Sequence, residues 1–294
     1  MIFAVSHITS YKYSEPAMEA YLEVRLSPPQ RATQEILSHR IEFTPPTASA
    51  SDYDDYFGNR ATVYSMPLRH QHMKVASHLT VRTASSPRPA AALALTVAEA
   101  RQVLRSARSA MFDYIQPTPN VPLGGLSIPW AKSLVREGDH LGDCLERLNG
   151  KIQQEFTYRS GSTDNETPLE AVWKTREGVC QDFAHIMLGV LRTAGLPCRY
   201  VCGYIDSEPL CNGDLGSNRL VGSLSTHAWI EVLVPGMKWV ALDPTNNQWC
   251  GEQHIAVSTG RDYLDAAPVR GTFKGSASQI MKAHVTMRRI PEKP

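Results

Sequence analysis

The chain has 294 residues, of which 42% are hydrophobic and 20% charged, and a formal net charge of +1. This length suffices for one large domain or two modest ones. The balanced charge gives no electrostatic reason to expect nucleic acid or a membrane surface as a partner, and no apolar stretch reaches the ~20 residues that span a bilayer. The first residues lack the basic and apolar segments of a secretory signal, so the cytosol is the expected compartment.

Residues 1–83 are predicted to form a small β-rich domain, because short β-prone segments alternate with Pro- and Gly-containing turns. Its strands are expected at 2–13, 20–26, 35–43, 60–66 and 75–83. His70 and His72 could share one strand face, but no third metal ligand lies nearby, so solvated surface histidines are the favoured interpretation. Residues 84–95 are rich in Pro and Ala and are predicted to be a linker.

Residues 96–275 are predicted to form the main domain, with helices first and strands afterwards. The helices are expected at about 97–110, 128–136, 140–154 and 168–174. The strands are expected at 198–205, 227–234 and 238–243. This order is typical of an α+β fold with antiparallel pairing. Residues 276–294 are predicted to be a further strand and a tail, and the strand is expected to join the N-terminal sheet.

A longer helix is predicted between residues 180 and 194, with Cys180 in its first turn and Gly195 and Pro197 as its stop signals. Its apolar residues recur at helical spacing. A thiol at a helix N-terminus lies beside unpaired backbone N–H groups, which stabilise the thiolate, the nucleophilic form. A buried cysteine on an apolar helix face is more often inert packing, so this feature alone does not establish catalysis.

Two alternating segments flank a Pro-Gly turn signal and predict a β-hairpin over 227–243. If the hairpin folds about Pro235, His227 and Asp243 are direct cross-strand neighbours on one face. A carboxylate beside an imidazole fixes its tautomer and leaves the other nitrogen free for a thiol. The alternative is a strand histidine and a turn-capping aspartate. The pairing favours a Cys180-His227-Asp243 triad.

The six cysteines contain no Cys-x-x-Cys pair, so a structural zinc site is not predicted, and neither a metal nor a cofactor is expected. Cys198 and Cys202 share a strand face but are too far apart along it for an easy disulfide. All six are interpreted as reduced, which suits a reducing compartment.

Several of these segments resemble the bacterial transglutaminase-like superfamily: 178–185, 196–204, 227–232 and 239–246 in the core, and 7–16, 55–59, 260–263 and 268–271 outside it. The resemblance covers nearly the whole chain. It implies a papain/transglutaminase-like core, in which a helix carrying Cys180 packs on an antiparallel sheet, preceded by the family's N-terminal β domain. The family's Cys, His and Asp match Cys180, His227 and Asp243. Cys198 departs from the pattern, where a small residue such as alanine is expected.

Oxyanion stabilisation is expected first from the backbone N–H of Cys180 and its neighbours in the first helical turn. Four side chains are further candidates for an oxyanion or supporting role: Gln181, Tyr158, Trp173 and His185. Gln181 is expected to point about 100° away around the helix. For Tyr158 and Trp173, a packed aromatic with a satisfied polar tip is the favoured alternative. His185 lies well off the line of the thiol and is interpreted as structural or supporting.

The predicted function is a thiol enzyme that cleaves or exchanges an amide bond in a peptide or protein substrate through a thioester. Water or an amine acceptor could resolve the thioester, and hydrolysis is favoured because an amine needs a groove that excludes water. The alternative is a binding or assembly module that keeps the fold without catalysis. The oligomeric state is left open.

Overall fold

A computed structural model describes residues 1–46, 49–107, 109–207, 225–275 and 278–291. Fifteen strands are named within these ranges. Those of the first region are β1 Ile2–Ala17, β2 Glu19–Ser27, β3 Gln34–Thr44, β4 Ala50–Asp54, β5 Arg60–Met66 and β6 His70–Thr83. The later ones are β7 Thr157–Tyr158, β8 Glu177–Gly178, β9 Cys198–Ile205, β10 His227–Val234, β11 Lys238–Asp243, β12 Gln248–Trp249, β13 His254–Gly260, β14 Val269–Lys274 and β15 Gln279–Ile290.

Seven α-helices connect or follow these strands in the described ranges. They are α1 Ala90–Leu93, α2 Val97–Leu104, α3 Ser127–Leu134, α4 Leu141–Glu155, α5 Leu169–Thr175, α6 Cys180–Thr193 and α7 Tyr263–Ala266. Two short 3-10 turns lie at Arg105–Ala107 and Phe112–Ile115. Of the helices described, none combines the length and the apolar character needed to cross a membrane.

The N-terminal region is a sandwich of two four-stranded sheets, ordered β15-β1-β6-β3 and β14-β2-β5-β4. From Ile2 to Tyr13, the inward-facing residues of β1 alternate strictly with more exposed ones, as expected for a strand with one buried face. Aromatic and aliphatic side chains from both sheets fill the space between them. The predicted strand near the C-terminus is present as β15 and pairs antiparallel with β1 along twelve residues.

Two features of this sandwich differ from the predicted organisation. Strand β4 is not predicted from the sequence, because its polar residues show no apolar alternation. In the structure all five of its residues are exposed. Strand β14 falls inside the predicted core, 96–275, yet it pairs with β2 of the sandwich. The N-terminal sandwich is therefore built from both ends of the chain.

The core consists of helices packed on a five-stranded sheet, ordered β12-β11-β10-β9-β13, with antiparallel pairing throughout. The α+β class and the β-rich N-terminal region are thus confirmed. Helix α6 runs through the middle and contacts β9 and β10 on one side and α3, α4 and α5 on the others. Because it is covered all round, nearly every residue from Asp182 to Arg192 is buried, rather than a single apolar stripe.

The predicted end of α6 is present. Gly195 has φ +76°, its N–H donates to the Arg192 carbonyl, and the Leu196 N–H donates to the Leu191 carbonyl. These two bonds form a Schellman motif, in which glycine takes the left-handed position at low cost.

Two buried amide side chains of the N-terminal region bind the outer edge of β13. The Gln34 carboxamide accepts from the Ala256 N–H and donates to the Ala256 carbonyl, at 2.8 and 2.9 Å. The Asn59 carboxamide does the same with Thr259, at 2.8 and 2.7 Å. Each amide takes the place of a neighbouring strand and binds backbone N–H and C=O groups at the outer edge of the core sheet. These bonds also fix the two regions to each other.

Candidate active site

A cavity of about 440 Å³ lies between the core and the N-terminal sandwich. Cys180 and His227 both line it, although they lie 47 positions apart in the chain. The helix positions the thiol and the sheet positions the imidazole. Packing of the apolar α6 against β9 and β10 therefore brings the two side chains to one cavity.

Cys180 is the first residue of α6, and its side chain is 9% exposed. Asp182 caps this helix end through Oδ2, which accepts from the Val179 N–H at 2.8 Å and from the Thr163 hydroxyl at 2.6 Å. The backbone N–H groups of Cys180 and Gln181 donate to no other backbone group in the described residues. Free amides at a helix N-terminus are suited to hold an oxyanion next to the thiol.

His227 and Asp243 are hydrogen-bonded, with 2.8 Å between Nε2 and Oδ2, and both side chains are fully buried. Burial alone lowers the pKa of His227, but the charge and hydrogen bond of Asp243, together with the Cys180 side chain, raise it to about 10. Burial raises the pKa of Asp243, and the His227 charge with the bonds from His227 and His254 more than offsets this and lowers it well below its ordinary value. The pair is therefore an ion pair at neutral pH.

The hairpin that carries this pair has a different register from the predicted one. Val234 pairs with Lys238 around the turn 235–237, so the turn centres on Gly236 and not on Pro235. Gly236 and Met237 both have positive φ, which the Pro-Gly signal did not reveal. The predicted direct pairing of His227 with Asp243 is thus wrong by two residues. Successive side chains of a strand point to opposite faces, so a shift of two residues leaves His227 and Asp243 on the same face. They therefore still meet, as diagonal neighbours.

The second ring nitrogen of His227, Nδ1, is buried and has no hydrogen-bond partner in the described part of the chain. Because Nε2 is engaged by Asp243, Nδ1 is the atom left for the thiol. An unpaired buried nitrogen is costly unless it serves a function. The Cys180 thiol, the His227 imidazole and the Asp243 carboxylate therefore follow one another in the order that thiol catalysis requires.

Asp243 accepts several hydrogen bonds besides the one from His227. Its Oδ1 accepts from the backbone N–H of Thr245 at 3.0 Å and of Asn246 at 3.3 Å. Its Oδ2 accepts from the Asn246 side chain at 2.7 Å and from His254 Nε2 at 3.3 Å, besides His227. These donors fix the carboxylate in place and keep it ionised.

His254 is a site residue that the sequence analysis did not identify. Its Nδ1 accepts from the Gly251 N–H at 3.3 Å, so Nε2 carries the proton and donates to Asp243. Its pKa is lowered by burial, which keeps the ring neutral despite Asp243. No local motif marks His254, because it reaches Asp243 only through the pairing of β13 with β9.

We expect His254→Leu to lower kcat roughly tenfold with little change in KM, because Asp243 loses a donor that orients it. His254→Gln can still donate to Asp243 and should retain most of the activity. Steady-state kinetics on a peptide amide measures both variants. Equal losses in the two variants would show that the ring acts only by packing, since its edge also faces Trp229 at 5.3 Å between centroids.

The structure places the other candidate residues differently. Tyr158 and Gln181 line the cavity with Cys180. Trp173 packs instead against Trp130 and Phe156, with ring centroids at 4.9 and 5.4 Å, and does not line the cavity.

His185 lies behind the cavity wall. Its Nε2 accepts from the Tyr263 N–H at 3.2 Å, and its ring lies 5.2 Å from Tyr200. Burial and the charge of Arg192 lower its pKa to about 3, so it is neutral. Both of its neighbours, Tyr200 and Tyr263, line the cavity, so His185 supports the site from outside.

His227, Asp243 and His254 are also the types of side chain that bind metals, and their nearest donor atoms lie within 4.8 Å of one another. Each imidazole uses Nε2 to donate to Asp243, however, and both bonds depend on protons that a metal would displace. The geometry fits a hydrogen-bonded cluster. The expectation that the protein uses no metal stays a prediction.

The core is a helix that begins at Cys180 and packs on an antiparallel sheet, and comparison with known proteins identifies the family that shares this fold. Residues 128–244 match the profile of the Transglutaminase-like superfamily, and residues 3–82 match the Bacterial transglutaminase-like N-terminal region. An uncharacterized protein of Mycobacterium tuberculosis is 34% identical over 96% of this chain and 91% of its own length. The chain belongs to the transglutaminase-like superfamily.

Two further proteins are similar over different lengths. A structure from Cytophaga hutchinsonii, provisionally described as a cysteine protease, has a TM-score of 0.75 and covers all of this chain and 93% of its own, at 20% identity. This likeness shows the shared fold. A protein-glutamine gamma-glutamyltransferase of Pseudomonas aeruginosa is 34% identical, but over only 31% of this chain and 13% of its own length.

Proposed function

We propose that the protein is a thiol-dependent acyl-transfer enzyme that cleaves an amide bond in a peptide or protein, with Cys180 as nucleophile. The observation that carries this proposal is the buried His227–Asp243 ion pair beside Cys180 in one cavity. A buried imidazole with a strongly raised pKa and one free nitrogen is unusual in a purely structural role. This is the state expected of an imidazole that acts as acid and base in catalysis.

In the proposed reaction, the Cys180 proton already resides on Nδ1 of the charged His227 ring, and the thiolate sulfur attacks the amide carbonyl. The tetrahedral oxyanion is held by the free backbone N–H groups of Cys180 and Gln181. The imidazolium then gives its proton to the leaving nitrogen, which departs as an amine or ammonia and leaves a thioester. Asp243 keeps the ring oriented throughout and stabilises its charged form.

Water is the favoured second substrate. An incoming water gives one proton to His227 and attacks the thioester carbonyl, which releases the acid and restores the Cys180 thiolate beside the protonated ring. An amine acceptor such as a lysine side chain would have to compete with water in the cavity. No carboxylate lines the described part of the cavity to attract its ammonium group. This supports hydrolysis over transfer.

The test combines peptide amides with a labelled primary amine and follows both products by mass spectrometry. Hydrolysis predicts the free acid and ammonia or a released amine, with little label in the product. Label incorporation that exceeds acid formation would favour the transferase. If neither product forms and Cys180 also fails to react with iodoacetamide, the protein is a binding module that keeps the fold without catalysis.

A further inference from the structure

The inward face of β1 changes character along its length. Phe3 and Val5 are wholly apolar, whereas the next inward residues, His7, Thr9 and Tyr11, are buried groups with polar atoms, and the Tyr11 ring also packs in the sandwich core. Polar groups in a sheet interior are unusual unless they are satisfied or face a site. Here the change coincides with the catalytic cavity, which all three residues line.

Two more strands of the sandwich extend this wall. Gln279 and Met281 of β15 lie opposite Tyr13 and Tyr11 of β1 and face the cavity with them. Phe273 of β14 closes the wall against Tyr13, with ring centroids 4.8 Å apart. The N-terminal region therefore contributes one whole side of the cavity that contains Cys180.

Within the described residues, the cavity lining carries no fixed charge other than that of the proposed catalytic ion pair. Among the described residues that line it, none is Asp, Glu, Lys or Arg. Burial lowers the pKa of His7 to about 4, so its ring is neutral. Burial also raises the pKa of Tyr11 to about 12, and burial with the nearby Cys180 does the same for Tyr158. These groups stay uncharged from mildly acidic to alkaline pH.

Several hydroxyl groups in the cavity have no hydrogen-bond partner among the residues that the structure describes. Those of Tyr11, Tyr13 and Tyr158 make no hydrogen bond within the described part of the chain, and none of them is a fully enclosed atom. A phenol hydroxyl can both donate and accept, and it matches an uncharged amide on either atom. The wall therefore offers unpaired neutral hydrogen-bonding groups and apolar surface.

We propose that this wall of the N-terminal sandwich binds an uncharged segment of the substrate, so that the enzyme selects peptide amides flanked by uncharged side chains. The assignment rests on the proposed function. A charged side chain would lose its hydration in the cavity and find no counter-ion among the described lining residues, which disfavours its binding. A neutral amide or hydroxyl would instead pair with the free phenol groups and stack on their rings.

The test measures how charge affects access to Cys180, without requiring a known substrate. The full chain is treated with three methanethiosulfonates of similar length: hydroxyethyl (neutral), trimethylammonioethyl (cationic) and sulfonatoethyl (anionic). In each case the thiolate attacks the reagent's sulfenyl sulfur, forms a mixed disulfide and expels methanesulfinate. Peptide mass spectrometry separates Cys180 from Cys202, which also lines the cavity. Rates are divided by those for free cysteine.

We expect the neutral reagent to modify Cys180 roughly tenfold faster than either charged one after this normalisation. Gln279→Glu places one negative charge on the wall and should raise the relative rate of the cationic reagent roughly fivefold. Lys282→Gln is the matched control, because it changes the net charge equally on the same strand but on the opposite face, outside this cavity. It should leave all three rates unchanged.

Similar normalised rates for the three reagents would overturn the neutral-wall assignment while leaving the thiol mechanism intact. Equal responses to Gln279→Glu and Lys282→Gln would overturn it as well, since the effect would then be long-range. A Cys180 that reacts with none of the reagents would overturn the proposed function, and this assignment with it.

Discussion

Cys180→Ala is expected to abolish amide cleavage, with a loss in kcat of at least roughly 10⁴-fold, because it removes the sulfur that forms the proposed thioester. The fold should persist, since the side chain is small and lies at the end of α6 and not in its buried middle. Hydrolysis of a peptide amide and incorporation of iodoacetamide, read by intact mass, measure the effect. Both should disappear together.

Cys202→Ala is the matched control for this variant. Cys202 lines the same cavity, but burial and the nearby Cys180 raise its pKa to about 12, so it stays a thiol. The control should keep activity and labelling near the native level. If the Cys202 variant loses activity and the Cys180 variant keeps it, the assignment of the nucleophile is wrong.

Asp243→Asn is expected to lower kcat roughly 10³- to 10⁴-fold with the geometry preserved, because the His227 ring loses the charge that holds its proton. Burial then dominates, and the His227 pKa should fall from about 10 to below its ordinary 6.5. NMR titration of the imidazole in both proteins measures this shift. An unchanged His227 titration would show that Asp243 does not support the charged ring.

The same substitution should change how stability depends on pH. The raised pKa of His227 stabilises the fold fully below about 6.5, and this is lost as the pH rises towards about 10. The lowered pKa of Asp243 stabilises it above about 3.8, and this is lost as the pH falls. Between these limits, near pH 5, Asp243→Asn should cost about 3 kcal/mol in the free energy of unfolding.

Urea denaturation at pH 5 and at pH 10 measures this cost, which should shrink at the higher pH. Asp54→Asn is the control, because it removes the same charge from an exposed carboxylate whose one ion pair within the described ranges is with Arg60 at 3.3 Å. Its effect should be small at both pH values. An equal cost of Asp243→Asn at the two pH values would contradict the ion pair.

The sequence was sufficient for much of the core, because its signals are local. The apolar spacing after Cys180 and the glycine at 195 predicted α6 to within a residue at each end. Strict alternation predicted β10 and β11. The register between them was missed because it depends on the positive φ of Gly236 and Met237. His227 and Asp243 still meet, because an error of two residues in the register leaves both side chains on the same face of the sheet.

The missed parts of the site are those created by long-range contacts. His254 reaches Asp243 only when β13 pairs with β9, and Thr9 and Tyr11 reach the cavity only when the sandwich docks on the core. Neither contact leaves a periodic signal in the residues themselves. Trp173 has an indole N–H and precedes Cys180 closely in the chain, which made it a candidate. Its position in an aromatic cluster depends on Trp130, which lies far from it in the chain.

The position of β14 and β15 has a consequence for biosynthesis. Each forms one outer strand of a sandwich sheet whose remaining strands come from residues 2–83. During synthesis, α6 and the β10–β11 hairpin therefore leave the ribosome before either sheet can be completed. The side of the cavity that faces Cys180 is complete only after β14 and β15 have paired with strands made much earlier.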